Sequence, residues 1–241
     1  VPGVVVGIAV GPDGVRAVRS DAPSQCEHWP AAIGWDKGWT LRERVVTAIG
    51  VMHIRIKQGP NHIECTSVAC TPAQADELKL DPHLRQFGNL TYAEPEAAFW
   101  AGIRAAAELP PNTSILLMDI SDSAVRAWRT TAAAATGQII GRSALDDDSD
   151  VRAAAVSLAE DAIRTGTVDE IIVLGDPART STVATELKTQ TQLPVRTDAE
   201  FGTFVARGAT LVVGQAAPAE SSGPRHAAKH AKPAKRRSWR R

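Results

Sequence analysis

Aromatic residues are scarce, only 5% of 241 residues, with a single tyrosine and four phenylalanines. A core of this size must then be filled by aliphatic side chains and alanine, which implies Ala-rich, closely packed helices. Cysteine is nearly absent. Cys26, Cys65 and Cys70 follow no metal-ligand or disulfide spacing, which excludes a zinc module or a disulfide-stapled scaffold. Cys65 and Cys70 fall in an apolar run and read as buried, reduced thiols suited to a cytoplasmic compartment. No apolar run approaches the ~20 residues that span a bilayer. The opening VPGVVVGIAV is too short for a secretory h-region and reads as a strand, and the initial Val points to a processed or cut start. There is no P-loop, no nucleophile elbow and no Gly-x-Gly-x-x-Gly fingerprint.

What is present is 44% apolar residues and a formal net charge of zero. The zero hides an asymmetry. From residue 215 onward eight Lys/Arg face only Glu220, a net +7, which leaves the remainder at −7. The tail, 215–241, is rich in Ala, Pro, Ser and Lys and reads as disordered. Its end, Lys235-Arg236-Arg237-Ser238-Trp239-Arg240-Arg241, suits an anionic membrane surface at about 1 kcal/mol per basic residue. It also suits nucleic acid through phosphate contacts, the less favoured partner, or the cytoplasmic flank of a transmembrane helix following Arg241.

Periodicity gives an α/β chain. Val4–Gly11, the turn Pro12-Asp13-Gly14 and Val15–Arg19 form a hairpin. Leu41, Val45, Ile49, Met52 and Ile56 lie on one helical face behind a Thr40 N-cap. His62–Cys70 is a strand, Thr71-Pro72 opens a helix, Leu90–Ala93 is a short strand, and Glu94-Pro95-Glu96 starts a helix reaching Leu109. The second half repeats the order: Ile115–Ile120 and Ala124–Thr131 as a hairpin, Ile139–Arg142 as a third strand, a helix over 151–165, a strand Ile171–Gly175, a helix over 179–190, a strand at Pro194–Arg196 and a helix over 198–208. VVGIAVGPDGVRAV (5–18) lies over ILLMDISDSAVRAW (115–128), both containing Val-Arg-Ala; VACTPAQADEL (68–78) matches VLGDPARTSTVATEL (173–187). With the helix starts Glu94-Pro95-Glu96 and Asp198-Ala199-Glu200 as a third pair, three matches in one order, offset by about 105 to 110 positions, point to an internal duplication.

These motifs resemble the actin-like ATPase superfamily, which includes DnaK-type chaperones and the FtsA- and PilM-type proteins. Glu94-Pro95-Glu96-Ala97-Ala98 is similar to the family's crossing between domains, Asp169 to Arg179 to its adenosine motif, and Asp198 to Ala209 to its terminal helix. The resemblance implies two ribonuclease-H-like domains, 1–109 and 110–214, around a nucleotide cleft, without large inserted subdomains. It implies nucleotide contacts, if any remain, at Gly7, Gly11, Asp119, Ser121, Ser123, Gly175 and Arg179, and a metal at Asp119. The departures point to a pseudo-ATPase. Ala9 stands where the first loop carries Asp, and Pro12 removes a backbone N–H. The second loop keeps Asp119 but has Ser121, Asp122 and Ser123 in place of glycines. Asp176 replaces the second glycine of the adenosine motif.

Blander readings stand beside the sharp ones. Asp119 also reads as a strand-end residue capping its own turn. Asp146, Asp147, Asp148 and Asp150 are a helix-start cluster rather than a calcium loop, which would require Gly and Glu where Val151 and Ser157 stand. Glu94 and Glu96 read as helix-start carboxylates, and His226 with His230 as tail residues. Trp29, Trp35 and Trp39 sit in a stretch without regular pattern, read as a loop covering a domain edge or anchoring a partner. The resulting expectation is a cytoplasmic scaffold or regulator without a cofactor, tied to a membrane by its tail and open to homo-oligomerisation, its protein partner unspecified. The alternatives are a minimal ATPase using ATP and magnesium, or a nucleic-acid-associated protein.

Overall fold

The computed structural model describes residues 3–30, 38–106, 109–121, 124–145, 150–198 and 201–213. Two five-stranded sheets share one topology. Sheet A comprises β1 (Gly3–Gly11), β2 (Gly14–Arg19), β3 (Ala22–Pro30), β4 (His62–Ala69) and β5 (Leu90–Ala93), in the order β3-β2-β1-β4-β5. Sheet B comprises β6 (Ser114–Ile120), β7 (Ala124–Thr131), β8 (Gln138–Ala144), β9 (Glu170–Gly175) and β10 (Val195–Asp198), in the order β8-β7-β6-β9-β10. In each sheet the first three strands in sequence are antiparallel and the last two join the first in parallel. The duplication read from the sequence is thus a duplicated topology.

The helices are α1 (Leu41–Lys57), α2 (Pro72–Lys79), α3 (Pro82–Arg85), α4 (Pro95–Ala106), α5 (Val151–Thr165), α6 (Pro177–Thr191) and α7 (Phe201–Ala209). Local chemistry sets their starts. Thr40 accepts from the Glu43 amide while the Glu43 carboxylate accepts from the Thr40 amide at 2.7 Å, a reciprocal cap on α1. Thr71 and Gln74 cap α2 in the same way, with Pro72 at its first position. Asp150 caps α5, accepting from the Arg152 amide.

Three apolar layers result. Val45, Ile49 and Met52 of α1 pack with Leu78 of α2 on the outer face of sheet A, against Val6, Ile8 and Val68. Ala155, Leu158, Val183 and Leu187 of α5 and α6 cover the outer face of sheet B. The layer between the sheets holds α4 and α7 (Phe99, Trp100, Ile103, Phe204, Val205), with Ala9 and Ala69 of sheet A and Leu117, Ile172 and Leu174 of sheet B. Here α7, last in sequence, lies on β1 at Gly7, where a Cβ would strike the Ala206 carbonyl. The two central helices cross through glycine: a Cβ on Gly102 would strike the Phe204 carbonyl, and one on Gly208 the Ala98 carbonyl. Phe99 of α4 stacks on Phe201 of α7, centroids 4.3 Å apart, and lies 6.2 Å from Trp128 of β7.

One segment departs from expectation. Residues 22–30, to which the sequence pattern assigns no element and which run into the irregular Trp29–Trp39 stretch, form β3, with Trp29 opposite Val15. It is an edge strand with Ser24, Gln25 and Glu27, so it lacks the apolar alternation that marks a half-buried strand. Trp29 is half-buried against the outer core of sheet A; Trp35 lies outside the described residues. All three cysteines are free, Cys65 and Cys70 buried and Cys26 half-buried. Burial, then the Glu94 charge, pushes the Cys70 thiol up to about 11. No helix among the described residues is long and apolar enough to cross a membrane.

Candidate functional site

The parallel strands of both sheets end at one cleft of about 690 Å³. Sheet A contributes Ala9, Val10 and Gly11 at the end of β1, and the turn Pro12-Asp13. Sheet B contributes Asp119 and Ile120 of β6, Ser121 after it, and Gly175 at the end of β9. Asp176 and Arg179 open α6, and Phe201 and Gly202 open α7. Carboxyl ends of parallel strands are where open α/β sheets bind ligands.

Five of the expected contact residues meet here: Gly11, Asp119, Ser121, Gly175 and Arg179. Gly7 does not. It lies within β1 beneath α7, where its lack of a side chain serves helix packing. Ser123 and Asp122 lie outside the described residues, as do Asp146–Ser149 and the tail with Lys235, Arg236, Arg237, Arg240 and Arg241.

The two hairpin turns have different interiors. In the first, Gly14 has φ +138°, and the Arg16 guanidinium meets the Asp13 carboxylate at 2.5 Å. In the second, the Ser121 amide and hydroxyl both donate to the Ala124 carbonyl at 3.0 Å, and the Ala124 amide donates back to the Ser121 hydroxyl at 3.2 Å. The polar groups of Ser121 that could meet a phosphate are thus used in closing its own turn. Asp176 likewise caps α6, accepting from the Ala178 amide at 2.8 Å.

Sequence reasoning did not single out Arg16 and Arg126. The strand register places Arg16 opposite Ala9 and Arg126 opposite Asp119, the same position in both repeats. Arg126 Nη2 lies 2.8 Å from Asp119 Oδ2, the carboxylate side chain 5% exposed and the guanidinium 40%. Arg126 also stands over the Phe201 ring, 5.6 Å from its centroid. Arg16, only 7% exposed, packs on the next residue, where a Cβ on Gly202 would come within 2.9 Å of its Nη1. The shared Val-Arg-Ala at both hairpins was the available signal; it was read as a mark of duplication and not as a site.

This donor set does not fit a magnesium-bound nucleotide. Magnesium in such sites leans on one or two carboxylates that hold its water shell. Asp119, the one buried carboxylate among the described residues of the cleft, faces a guanidinium, and Ala9 offers no partner across the cleft. Among the described residues no group of three His, Cys, Asp or Glu is placed to hold a metal ion.

Two duplicated 3-2-1-4-5 sheets, a helix pair between them and a cleft at their strand ends define the actin-like ATPase fold, here in compact form. Solved structures agree across nearly the whole chain. EutJ, an ethanolamine utilization protein from Carboxydothermus hydrogenoformans, superposes with a TM-score of 0.54 at 11% identity, over 88% of this chain and 90% of that one. The activator of 2-hydroxyisocaproyl-CoA dehydratase from Clostridium difficile, solved with bound ADPNP, gives 0.53 at 9% identity over 86% and 93%. The inorganic polyphosphate/ATP-glucomannokinase from an Arthrobacter strain gives 0.52 at 12% identity over 89% and 99%. No protein-family model matches the chain, and no curated protein matches it significantly.

Proposed function

We propose that this chain is a catalytically degenerate actin-fold protein, a scaffold or regulator in the cytoplasm whose basic tail holds it at an anionic membrane surface. The observation that carries the first part is the Arg126–Asp119 pair at 2.8 Å. The carboxylate that would organise a hydrated metal is neutralised from within, and displacing a guanidinium from a buried carboxylate adds a cost that metal binding must overcome. The self-closed Ser121 turn and Pro12, which has no N–H to give, support the same reading. The ADPNP-bound state of the dehydratase activator belongs to that protein. The tail's net +7 supports the second part.

Isothermal titration with magnesium and ATP tests the cleft. The expected result is no binding tighter than roughly 10 μM. Tighter binding that Asp119→Ala abolishes would establish the minimal ATPase instead. Flotation on anionic vesicles, with and without residues 225–241, tests the tail. Equal flotation of the shortened chain sinks the membrane role, and retention on nucleic acid but not on vesicles assigns the tail to nucleic acid.

A further inference from the structure

We propose that β8, an outer strand of sheet B, is a docking edge for an extended segment of a partner protein that carries a carboxylate among β-branched residues. The segment adds to the sheet as a sixth strand beside β8. This rests on the scaffold part of the preceding reading and gives its partner a chemistry; neither the cleft nor the tail enters it.

The two sheets have four edge strands, and they are not equally guarded. An edge strand presents unpaired N–H and C=O groups, which proteins blunt with proline, charge or brevity. β3 carries Pro23 and Pro30, and its Glu27 is tied to Arg55 of α1. β5 and β10 have four residues each. β8 has seven, without proline or an acid. It also bears Ile139, 72% exposed, the one large apolar side chain exposed on a strand among the described residues. The register sets Ile139 opposite Trp128, on the face toward the layer between the sheets. A bulge at Ile140 steps the register, so the regular run open to a partner is Gly141–Ala144, with Ile139 beyond the step.

Charge selects the occupant. Arg142 lies in that run, exposed and directly opposite Arg126 of β7. Like charges facing one another on a sheet are unfavourable. Asp119 answers Arg126, and among the described residues no carboxylate answers Arg142. On the α5 side a groove of about 640 Å³ runs beside the start of β8, lined by Arg129, Gln138, Ile140, Asp161 and Arg164. Asp161 pairs with Arg164, while among the described residues Arg129 donates only to the Ala162 carbonyl and the Thr165 hydroxyl. Each face beside the edge therefore holds a guanidinium without a carboxylate. Arg142 also argues against a second copy of this chain. An antiparallel self-pairing centred on Gly141, Arg142 or Ser143 sets the two Arg142 side chains opposite or two positions apart. In strand addition the main-chain bonds supply affinity and alternate side chains supply specificity.

The test is selection of a phage-displayed random peptide library on the intact chain, then anisotropy titration and hydrogen exchange with the best peptide, synthesised. The expected peptides carry Asp or Glu among Val, Ile and Thr. They protect amides within Gln138–Ala144 and leave those of β3 unchanged. Arg142→Glu should weaken the peptide roughly tenfold or more, and exchanging the peptide's acid for lysine should restore binding to that variant. N-methylation along one edge of the peptide should abolish binding, and along the other edge leave it intact. Thermal unfolding verifies the fold of Arg142→Glu; if that variant does not fold, the N-methylated peptides decide. No enriched peptide overturns the proposal, as do enriched peptides without an acid, unchanged affinity for folded Arg142→Glu, or protection away from β8. A dimer in sedimentation that the peptide dissociates gives the edge to a second copy and overturns it too. Such failures leave the degenerate reading of the cleft intact, which magnesium–ATP binding lost in Asp119→Ala would sink without touching β8.

Discussion

The two hairpins facing the cleft share a register and differ in how each arginine is neutralised. Arg126 meets a buried carboxylate on the neighbouring strand, Asp119; Arg16 meets Asp13 in its own turn, half open to solvent. Each pair joins a buried group to an exposed one in the opposite sense: the acid Asp119 is the buried member of the first, 5% exposed, and the base Arg16 of the second, 7% exposed. A duplicated unit has kept its cation twice and its buried acid once, and the surviving acid is occupied by that cation. The difference teaches that the two equivalent arginines are balanced by different partners, one across the strand pair and one within its own turn.

The outer layers differ too. Sheet B is covered by an apolar cluster, whereas the layer over sheet A includes buried His53 on α1, its Nε2 3.1 Å from the Thr66 hydroxyl of β4 and its ring edge-on to Phe87. Burial, then the Lys57 charge, holds His53 below the ordinary histidine range.

The strongest way to break the comparison is to separate the halves. Gly208→Leu forces a side chain into the Ala98 carbonyl and should cost about 3 kcal/mol or more in urea unfolding. A loss below about 1 kcal/mol would mean that the helix crossing does not bind the two sheets. Next is the buried pair. Asp119→Ala should cost about 2 kcal/mol, discounted because Arg126 is partly exposed. Equal losses for Asp119→Ala and Asp13→Ala would erase the distinction drawn between the hairpins.

Acid should act on sheet A first. The unfolded chain takes up the His53 proton near pH 6.5, and the folded chain only at lower pH. Stability is therefore full above pH 6.5 and falls as the pH drops from there toward the folded value. Hydrogen exchange should show α1 and β4 opening before α5 and β9, and His53→Gln should flatten the dependence. Parallel opening of both layers in acid would count against it. Thr40→Ala removes the α1 cap and should cost about 1 kcal/mol in thermal unfolding, with α5, capped by Asp150, unaffected. The smallest effect is Asp13→Ala, about 0.5 kcal/mol, because the carboxylate it removes is itself half exposed.

Much of this fold was legible because its signals are local. Thr40 and Glu43 announce α1, Thr71-Pro72 announces α2, and the paired Val-Arg-Ala segments expose the duplication. What was not legible depends on distant partners. β3 is an edge strand with polar residues, so its pairing with β2 leaves little trace in periodicity. Gly7 looked like a phosphate-loop glycine because nothing nearby shows that α7 will lie on it. The cleft was half legible. Strand ends place Gly11, Asp119 and Gly175, while the meeting of Arg16 and Arg126 at Phe201-Gly202 requires the far end of the chain.

That same placement of α7 sets an order on biosynthesis. β1 is translated well before the helix that lies against its Gly7 face, which is the last element described. Until Phe201–Ala209 has been translated, the inner face of sheet A is bare and α4 lacks its crossing partner. A nascent chain halted before Phe201 should thus hold all ten described strands and still be unable to close, a natural client for a ribosome-associated chaperone.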